Sequence, residues 1–305
     1  MIIRPRPHWL RMLFVLRGSV VPQIAPQLIA VTALAVAVTV LHGQVLQWKI
    51  PLNFVPFSLI GLTLAIFLGF RNSTSYARYW EARTLWGALL TESRSLLRMA
   101  LTQVDGPPDN AQPLARRLMA FVHALRHQLR GTDPTGDLRR LLPDSDCERL
   151  AGARYQPALL LLMAGEWLQA QRQAGRLAPA IVPAMEAPLD RLSQALGGCE
   201  RIAGTPIPFT YAVMIHRTIY IYCILLPFGL VDALGLMTPV IVAFLAYTFF
   251  ALEALGTEIE EPFGTEPNDL ALDAMSAAVE ASLREMLGEA LPPVSPPAPG
   301  QIVLT

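Results

Sequence analysis

Residues 57–86 read FSLIGLTLAIFLGFRNSTSYARYWEARTLW, and this stretch decides the fold. It follows Pro56 and runs apolar from Phe57 to Phe70. It then turns amphipathic at Arg71 with no Gly-Pro stop, continuing through Arg78, Glu81 and Arg83. Side chains four apart stack on one helix face, so the apolar part separates into two faces. Gly61, Ala65 and Gly69 form a stripe of small residues of the kind that lets helices in lipid approach closely. Ser58, Leu62, Ile66 and Phe70 form the bulkier adjacent face. A helix that packs through its small face presents the bulky one elsewhere. In a ring of identical subunits that place is a shared axis, where an apolar lining gates by dewetting. Ordinary packing against lipid and neighbouring helices produces the same pattern, and periodicity alone favours it.

Composition supports membrane insertion of part of the chain. Over 305 residues the hydrophobic share is 53% and the mean hydropathy is +0.40, both high for a soluble domain. The formal net charge is zero, which argues against nucleic acid as a partner. Basic residues are almost all arginine, with Lys49 the only lysine. Cys147, Cys199 and Cys223 form no C-x-x-C pair, so neither a disulfide framework nor a zinc site is expected. The arginine-rich start lacks a short apolar core and a small-residue cleavage site, so no cleavable signal is expected.

Residues 1–23 carry Arg4, Arg6, Arg11 and Arg17, with His8 and Trp9 as interfacial anchors. Residues 24–86 hold two expected spans, Ile24–Leu41 and the apolar run from Phe57, joined by a connector over 42–56. Residues 87–205 are different in kind. Leu89, Leu90, Leu96 and Leu97, then Leu118, Phe121, Val122, Leu125 and Leu129, recur at helical spacing among many arginines. With breaks at 105–113, 131–137, 143–146 and 178–183, this predicts a soluble layer of four or five helices. Residues 206–256 hold two further spans, Tyr211–Leu234 and Thr238–Leu255. Residues 257–288 are an acidic loop followed by a helix, and 289–305 a disordered proline-rich tail. Arginine and lysine counts in the flanks put both termini and the helical layer in the cytoplasm, with four spans.

Other constellations carry less. His123 and His127 have metal-ligand spacing on a helix but no glutamate base beside the first, so polar helix surface is the expectation over metal binding. Glu258, Glu260 and Glu261 either attract cations at a pore mouth or form a solvated loop. Arg78, Glu81 and Arg83 are expected to form ion pairs at the membrane exit. His216 and Arg217 lie within the third span, where ionisable groups face protein or water or snorkel to the interface. No nucleophile triad, phosphate loop or catalytic carboxylate pair stands out, so no enzyme and no cofactor is expected.

Four stretches together resemble the bestrophin channels, specifically the bacterial homologues. They are Ala65–Gly87 (AIFLGFRNSTSYARYWEARTLWG), His127–Pro143 (HQLRGTDPTGDLRRLLP), Gly197–Tyr211 (GGCERIAGTPIPFTY) and Glu260–Met275 (EEPFGTEPNDLALDAM). The resemblance implies an all-α membrane protein: four transmembrane helices above a cytosolic helical vestibule, assembled as a homopentamer around one pore. The family's apolar neck matches Leu62, Ile66 and Phe70. Its second constriction at the cytosolic exit falls at Ala180, beside Ile181, where alanine leaves a wider aperture. Eukaryotic members bind calcium in an acidic run after a Pro-Phe-Gly. Here Pro262-Phe263-Gly264 is followed by Thr265, Glu266, Pro267, Asn268 and Asp269, too few carboxylates for a calcium clasp.

The reading is therefore a passive channel of the bacterial inner membrane, in contact with lipid. Glu258, Glu260, Glu261, Glu266 and Asp269 are five acids with no interspersed base. Together with the bacterial relatives' preference for monovalent cations, they favour sodium and potassium over chloride. An anion channel of the same architecture is the alternative. A membrane-bound carrier or a non-conducting scaffold is the alternative from another class.

Overall fold

The computed structural model describes residues 8–291 apart from 13, 17, 46, 47, 50, 51 and 53. The expected basic residues Arg4, Arg6 and Arg17 and the tail from residue 292 lie outside the described residues. In chain order the helices are α1 (Trp9–Met12), α2 (Val21–Val40), α3 (Phe54–Gln103), α4 (Gln112–Arg130), α5 (Thr135–Leu141), α6 (Asp144–Leu150), α7 (Gln156–Gln173), α8 (Val182–Gly204), α9 (Phe209–Leu234), α10 (Thr238–Glu260) and α11 (Leu272–Met286). A two-rung antiparallel hairpin, β1 (Gln44–Val45) and β2 (Trp48–Lys49), pairs Gln44 with Lys49 and Val45 with Trp48. The chain divides into two compact units. Among the described residues, one is built on those up to Tyr79 with Pro206–Glu261, the other on Trp80–Thr205 with residues 262–291. Helix α3 contributes its first half to the former and its second half to the latter.

The first unit is apolar. Among the described residues three stretches are long and apolar enough to cross a membrane: Val21–Val40, part of Phe54–Gln103, and Phe209–Glu260. The last holds two helices, α9 and α10, broken at Gly235, where φ is +51° and L side chains are strained. A 3-10 turn follows. Thr238 then opens α10 by donating its hydroxyl to the Gly235 carbonyl at 2.7 Å, with Pro239 in the first turn. Helix α2 packs on α9 and α10, which also pack on each other. Their shared core includes Val31, Ala35, Ile219, Cys223, Leu226, Val242, Ala246 and Phe250, joined from α3 by Phe57, Leu64 and Leu68.

That list corrects the packing face expected for α3. The stripe Gly61, Ala65, Gly69 is not what α3 buries within its own chain. Only Gly61 makes a close approach, its missing side chain leaving room for the Tyr222 hydroxyl 2.8 Å from where a Cβ would stand. Ala65 and Gly69 are exposed, and nothing lies within 4 Å of a Cβ built on Gly69. The buried row is Phe57, Leu64, Leu68, Arg71 and Ser75. The helix also runs well past Trp86, to Gln103, because no glycine-proline pair interrupts it before Gly106-Pro107.

The second unit is the helical layer. Helix α4 lies at its middle, touching α5, α7, α8 and α11. It starts at Gln112-Pro113 and ends at Gly131, whose φ of +63° lets the Thr132 amide donate back to the His127 carbonyl at 3.0 Å. Leu118, Phe121, Val122 and Leu125 are fully enclosed, as are Leu89, Leu96 and Leu97 of α3, whereas Leu90 and Leu129 are half-buried. Beyond α3, residues 87–205 hold five helices, α4 to α8. The break missed by pattern alone lies at 151–155, where Gly152 turns with φ +73°.

Steric fit supplies a direct test. A Cβ at Gly229 would stand 2.5 Å from the Phe57 ring, so Gly229→Ala should overpack the apolar unit and lower stability by about 1–3 kcal/mol. Gly69→Ala meets nothing and should leave stability unchanged or raise it by up to about 1 kcal/mol through helix propensity. Thermal denaturation of both variants in detergent checks this; equal melting temperatures would count against the packing described.

Candidate functional site

At 100° per residue, the buried row of α3 and the row Leu62, Ile66, Phe70 centre about 180° apart. The three apolar side chains are accordingly 61%, 51% and 65% exposed, one helical turn apart, on the face opposite the packed one. No polar side chain lies between them on that line, so the surface they present carries no formal charge.

What holds this face outward is a polar clamp one residue beyond Phe70. The Arg71 side chain is only 3% exposed. Its Nη2 donates to Thr257 Oγ1 at 3.0 Å and lies 3.3 Å from Glu260 Oε2, both on α10. Arg78 Nε, two turns further on, donates to the Glu260 carbonyl at 3.1 Å. The opposing Gly256 leaves space for the Asn72 amide, which a Cβ there would strike. Pattern reasoning placed Arg71 only as the start of the polar segment. Its partners are 186 and 189 residues away, and nothing local signals them.

The five acids proposed from sequence as a cation-attracting loop are not one loop. Glu258 and Glu260 belong to the last turn of α10, and Glu260 is engaged by Arg71. Asp269 is buried at 2%, and its Oδ2 accepts the Glu266 amide at 2.8 Å, capping the turn after Gly264. Glu261 and Glu266 are exposed, and Glu258 is half-buried. Ala180 is exposed and Ile181 half-buried, in the turn that leads into α8. Glu81, expected to pair with its neighbours in sequence, takes Arg201 of α8.

The histidine pair requires a correction. His123 is not polar helix surface: it is 4% exposed, at the centre of a charged network that joins α4, α5 and α11. Its Nε2 lies 2.7 Å from Glu280 Oε2, and its Nδ1 approaches Asp137 at 3.5 Å. Arg140 grips Glu280 with both Nη atoms, at 2.5 and 2.8 Å, and donates to Asp137 at 2.9 Å. Arg126 donates to the other Asp137 oxygen at 2.7 Å, and His127 Nε2 lies 3.2 Å from the same atom. Arg284 donates to Glu280 at 2.8 Å, and Arg130 to Asp273 at 2.8 Å. The carboxylates are thus engaged by guanidinium groups. Among the described residues no group of His, Cys, Asp and Glu is arranged to hold a metal ion.

Burial works against ionisation of Asp137, but the Arg140 hydrogen bond, the His123 and His127 contacts and the Arg126 charge outweigh it and hold the carboxyl at about 2. Glu280 is depressed in the same way, against its burial, by His123, Arg140 and Arg284. A carboxyl depressed in the fold stabilises it above the ordinary value near 3.8, and that stability is lost as pH falls through the folded value. Asp137→Asn should therefore cost about 1–3 kcal/mol at pH 7. The gap to wild type should narrow as pH is lowered from about 4 to about 2. Melting temperatures across that range check it; a gap independent of pH would remove the network from the account.

Comparison with known proteins agrees with this architecture. Residues 1–285 match the family profile described as Bacterial/Fungal Bestrophin protein. The voltage-dependent anion channel-forming protein of Ralstonia nicotianae is 49% identical over 291 residues, covering 95% of each chain. The protein of that name in Escherichia coli K12 is 44% identical over 292 residues, again covering 95% of each. A crystal structure of a bacterial bestrophin homolog from Klebsiella pneumoniae superposes with a TM-score of 0.85 at 42% identity, covering 88% of this chain and 99% of that one. A membrane protein with the bestrophin fold, and a channel rather than an enzyme by its kinship, the chain belongs to the bacterial and fungal bestrophin family.

Proposed function

We propose that this chain is a pentameric ion channel of the inner membrane, its neck formed by Leu62, Ile66 and Phe70 from each subunit. The observation that carries the reading is the exposure of these three side chains on the face of α3 opposite its packed row. One subunit supplies one wall only, so a closed path needs a ring of copies. Four spans, α2, the apolar part of α3, α9 and α10, cross the bilayer with both termini in the cytoplasm. Ala180 and Ile181 border a wider cytosolic exit. Apolar rings resist wetting, so each hydrated ion meets a barrier set by ring size and hydrophobicity. Leu62→Ala, Ile66→Ala and Phe70→Ala should each raise conductance or open probability several-fold in planar bilayers. Unchanged currents from variants whose mass in detergent is still that of the ring would take these residues out of the path.

The permeant ion is a monovalent cation, sodium or potassium. An uncharged neck leaves selectivity to fixed charges and dipoles along the wall. Glu261 and Glu266 are exposed acids repeated in every subunit, and they concentrate cations near them. The anion reading is favoured by one specific observation, the anion channel names carried by the Ralstonia and Escherichia relatives. A sodium chloride gradient separates the two. The expected reversal potential lies toward the sodium equilibrium value, and a shift toward the chloride value establishes the anion channel instead.

A further inference from the structure

Helix α9 carries two adjacent ionisable residues near its start, on a largely apolar span, and their surroundings differ. His216 Nδ1 lies 2.6 Å from Glu253 Oε1 on α10, and its ring lies tilted at 41° to that of Tyr220 with centroids 4.3 Å apart. Glu253, only 13% exposed, has its Oε1 engaged in this contact. Arg217 is exposed and has no acidic partner among the described residues. It shares its helix face with the exposed Ile221, Ile224 and Leu225, and the exposed Phe209 and Met214 lie toward the start of the helix. A permanently charged guanidinium on an apolar, outward face demands an anion, and among the described residues no ion pair within the chain supplies one.

Helix length says where that anion is. The 26 residues of α9 rise about 39 Å, against a hydrocarbon core of about 30 Å. Assigning that surplus of about 9 Å to the start of the helix, the end that carries His216 and Arg217, puts roughly its first turn and a half in the headgroup region and Arg217 just inside the boundary. From there a long side chain snorkels back to the interface. We infer that Arg217 binds the phosphate of an anionic phospholipid of the cytoplasmic leaflet, making this end of α9 a lipid-headgroup site. The acyl chains then lie along Ile221, Ile224 and Leu225. The guanidinium fork suits two phosphate oxygens at once, which an ammonium does not. This inference rests on α9 spanning the membrane, but not on the pore.

Native mass spectrometry of the full-length protein in detergent tests it, with phosphatidylglycerol or phosphatidylcholine added at equal concentration. Wild type should retain phosphatidylglycerol at several-fold higher occupancy. Arg217→Lys should keep part of that preference, and Arg217→Ala should lose it while the assembly mass stays the same. The neck variant Leu62→Ala should keep the full preference, which separates this site from the conduction reading. A wild-type protein without preference overturns the inference whatever the variants do. So does an Arg217→Ala protein that still prefers phosphatidylglycerol, or one that loses its assembly while retaining the preference; the latter means that Arg217 pairs with an acid of a neighbouring copy.

Discussion

The buried Arg71 guanidinium, held between Thr257 and Glu260, sets the rotation of α3 about its own axis. In lipid, helices gain little from hydrophobic burial against one another, because the solvent is as apolar as leucine. Rotation is decided instead by close fit and by polar groups that have no alternative partner. An arginine at 3% exposure leaves no freedom of choice: with its acid removed it would be a buried unpaired charge. Turning α3 by one residue would withdraw Arg71 from Glu260 and swing Leu68 out of the core. The direction of Leu62, Ile66 and Phe70 therefore follows from a contact none of them makes.

The two units obey different physics with the same residue alphabet. In the helical layer, enclosed leucines such as Leu118 and Leu125 gain the ordinary hydrophobic transfer energy, roughly 1.5–3 kcal/mol each. The charges there are organised almost wholly through arginine. Its planar fork reaches two acceptors in fixed geometry, as Arg140 does by spanning Glu280 and Asp137. A lysine ammonium is a point charge and makes no such bridge, which fits a chain whose only lysine is Lys49. The network ties α11, late in the chain, to α4 and α5. Hydrogen bonds to ionised groups hold it together better than exposed ion pairs do.

Much of this was legible from residues alone, and the remainder failed for identifiable reasons. The helices α2, α9 and α10 are visible because apolar runs of that length have few other uses, and α4 because Pro113 and Gly131 punctuate it. Helix α11 falls within two residues of where its pattern placed it. The face Leu62, Ile66, Phe70 was found by periodicity, but which neighbouring row packs was not. Small residues at Gly61, Ala65 and Gly69 advertise close approach, whereas the helix packs through Phe57, Leu64 and Leu68, with Gly61 at the edge. His123 was read as surface because its spacing is local information. Its burial depends on Glu280, 157 residues on. The acids of residues 258–269 read as one loop because sequence shows composition and not partners, and two of the five are already committed to Arg71 and to the Glu266 amide.

If the proposed neck conducts, the hydroxyls beside that row on α3 would bear on which ion passes. Ser58, Thr63 and Thr74 each donate their proton to a carbonyl of their own helix, at Val55, Leu59 and Phe70, over 2.7, 2.9 and 3.0 Å. All three are exposed. A hydroxyl whose hydrogen is used in this way has only lone pairs left to offer, so it acts toward a passing ion as an acceptor. Acceptor oxygens replace the water shell of a cation and not that of an anion. For these hydroxyls to serve chloride, each would have to release its carbonyl and reorient, forfeiting a hydrogen bond worth about 0.5–1.5 kcal/mol. In the proposed ring, repeated in each subunit, that cost would favour the cation reading over the anion one without a formal charge in the neck.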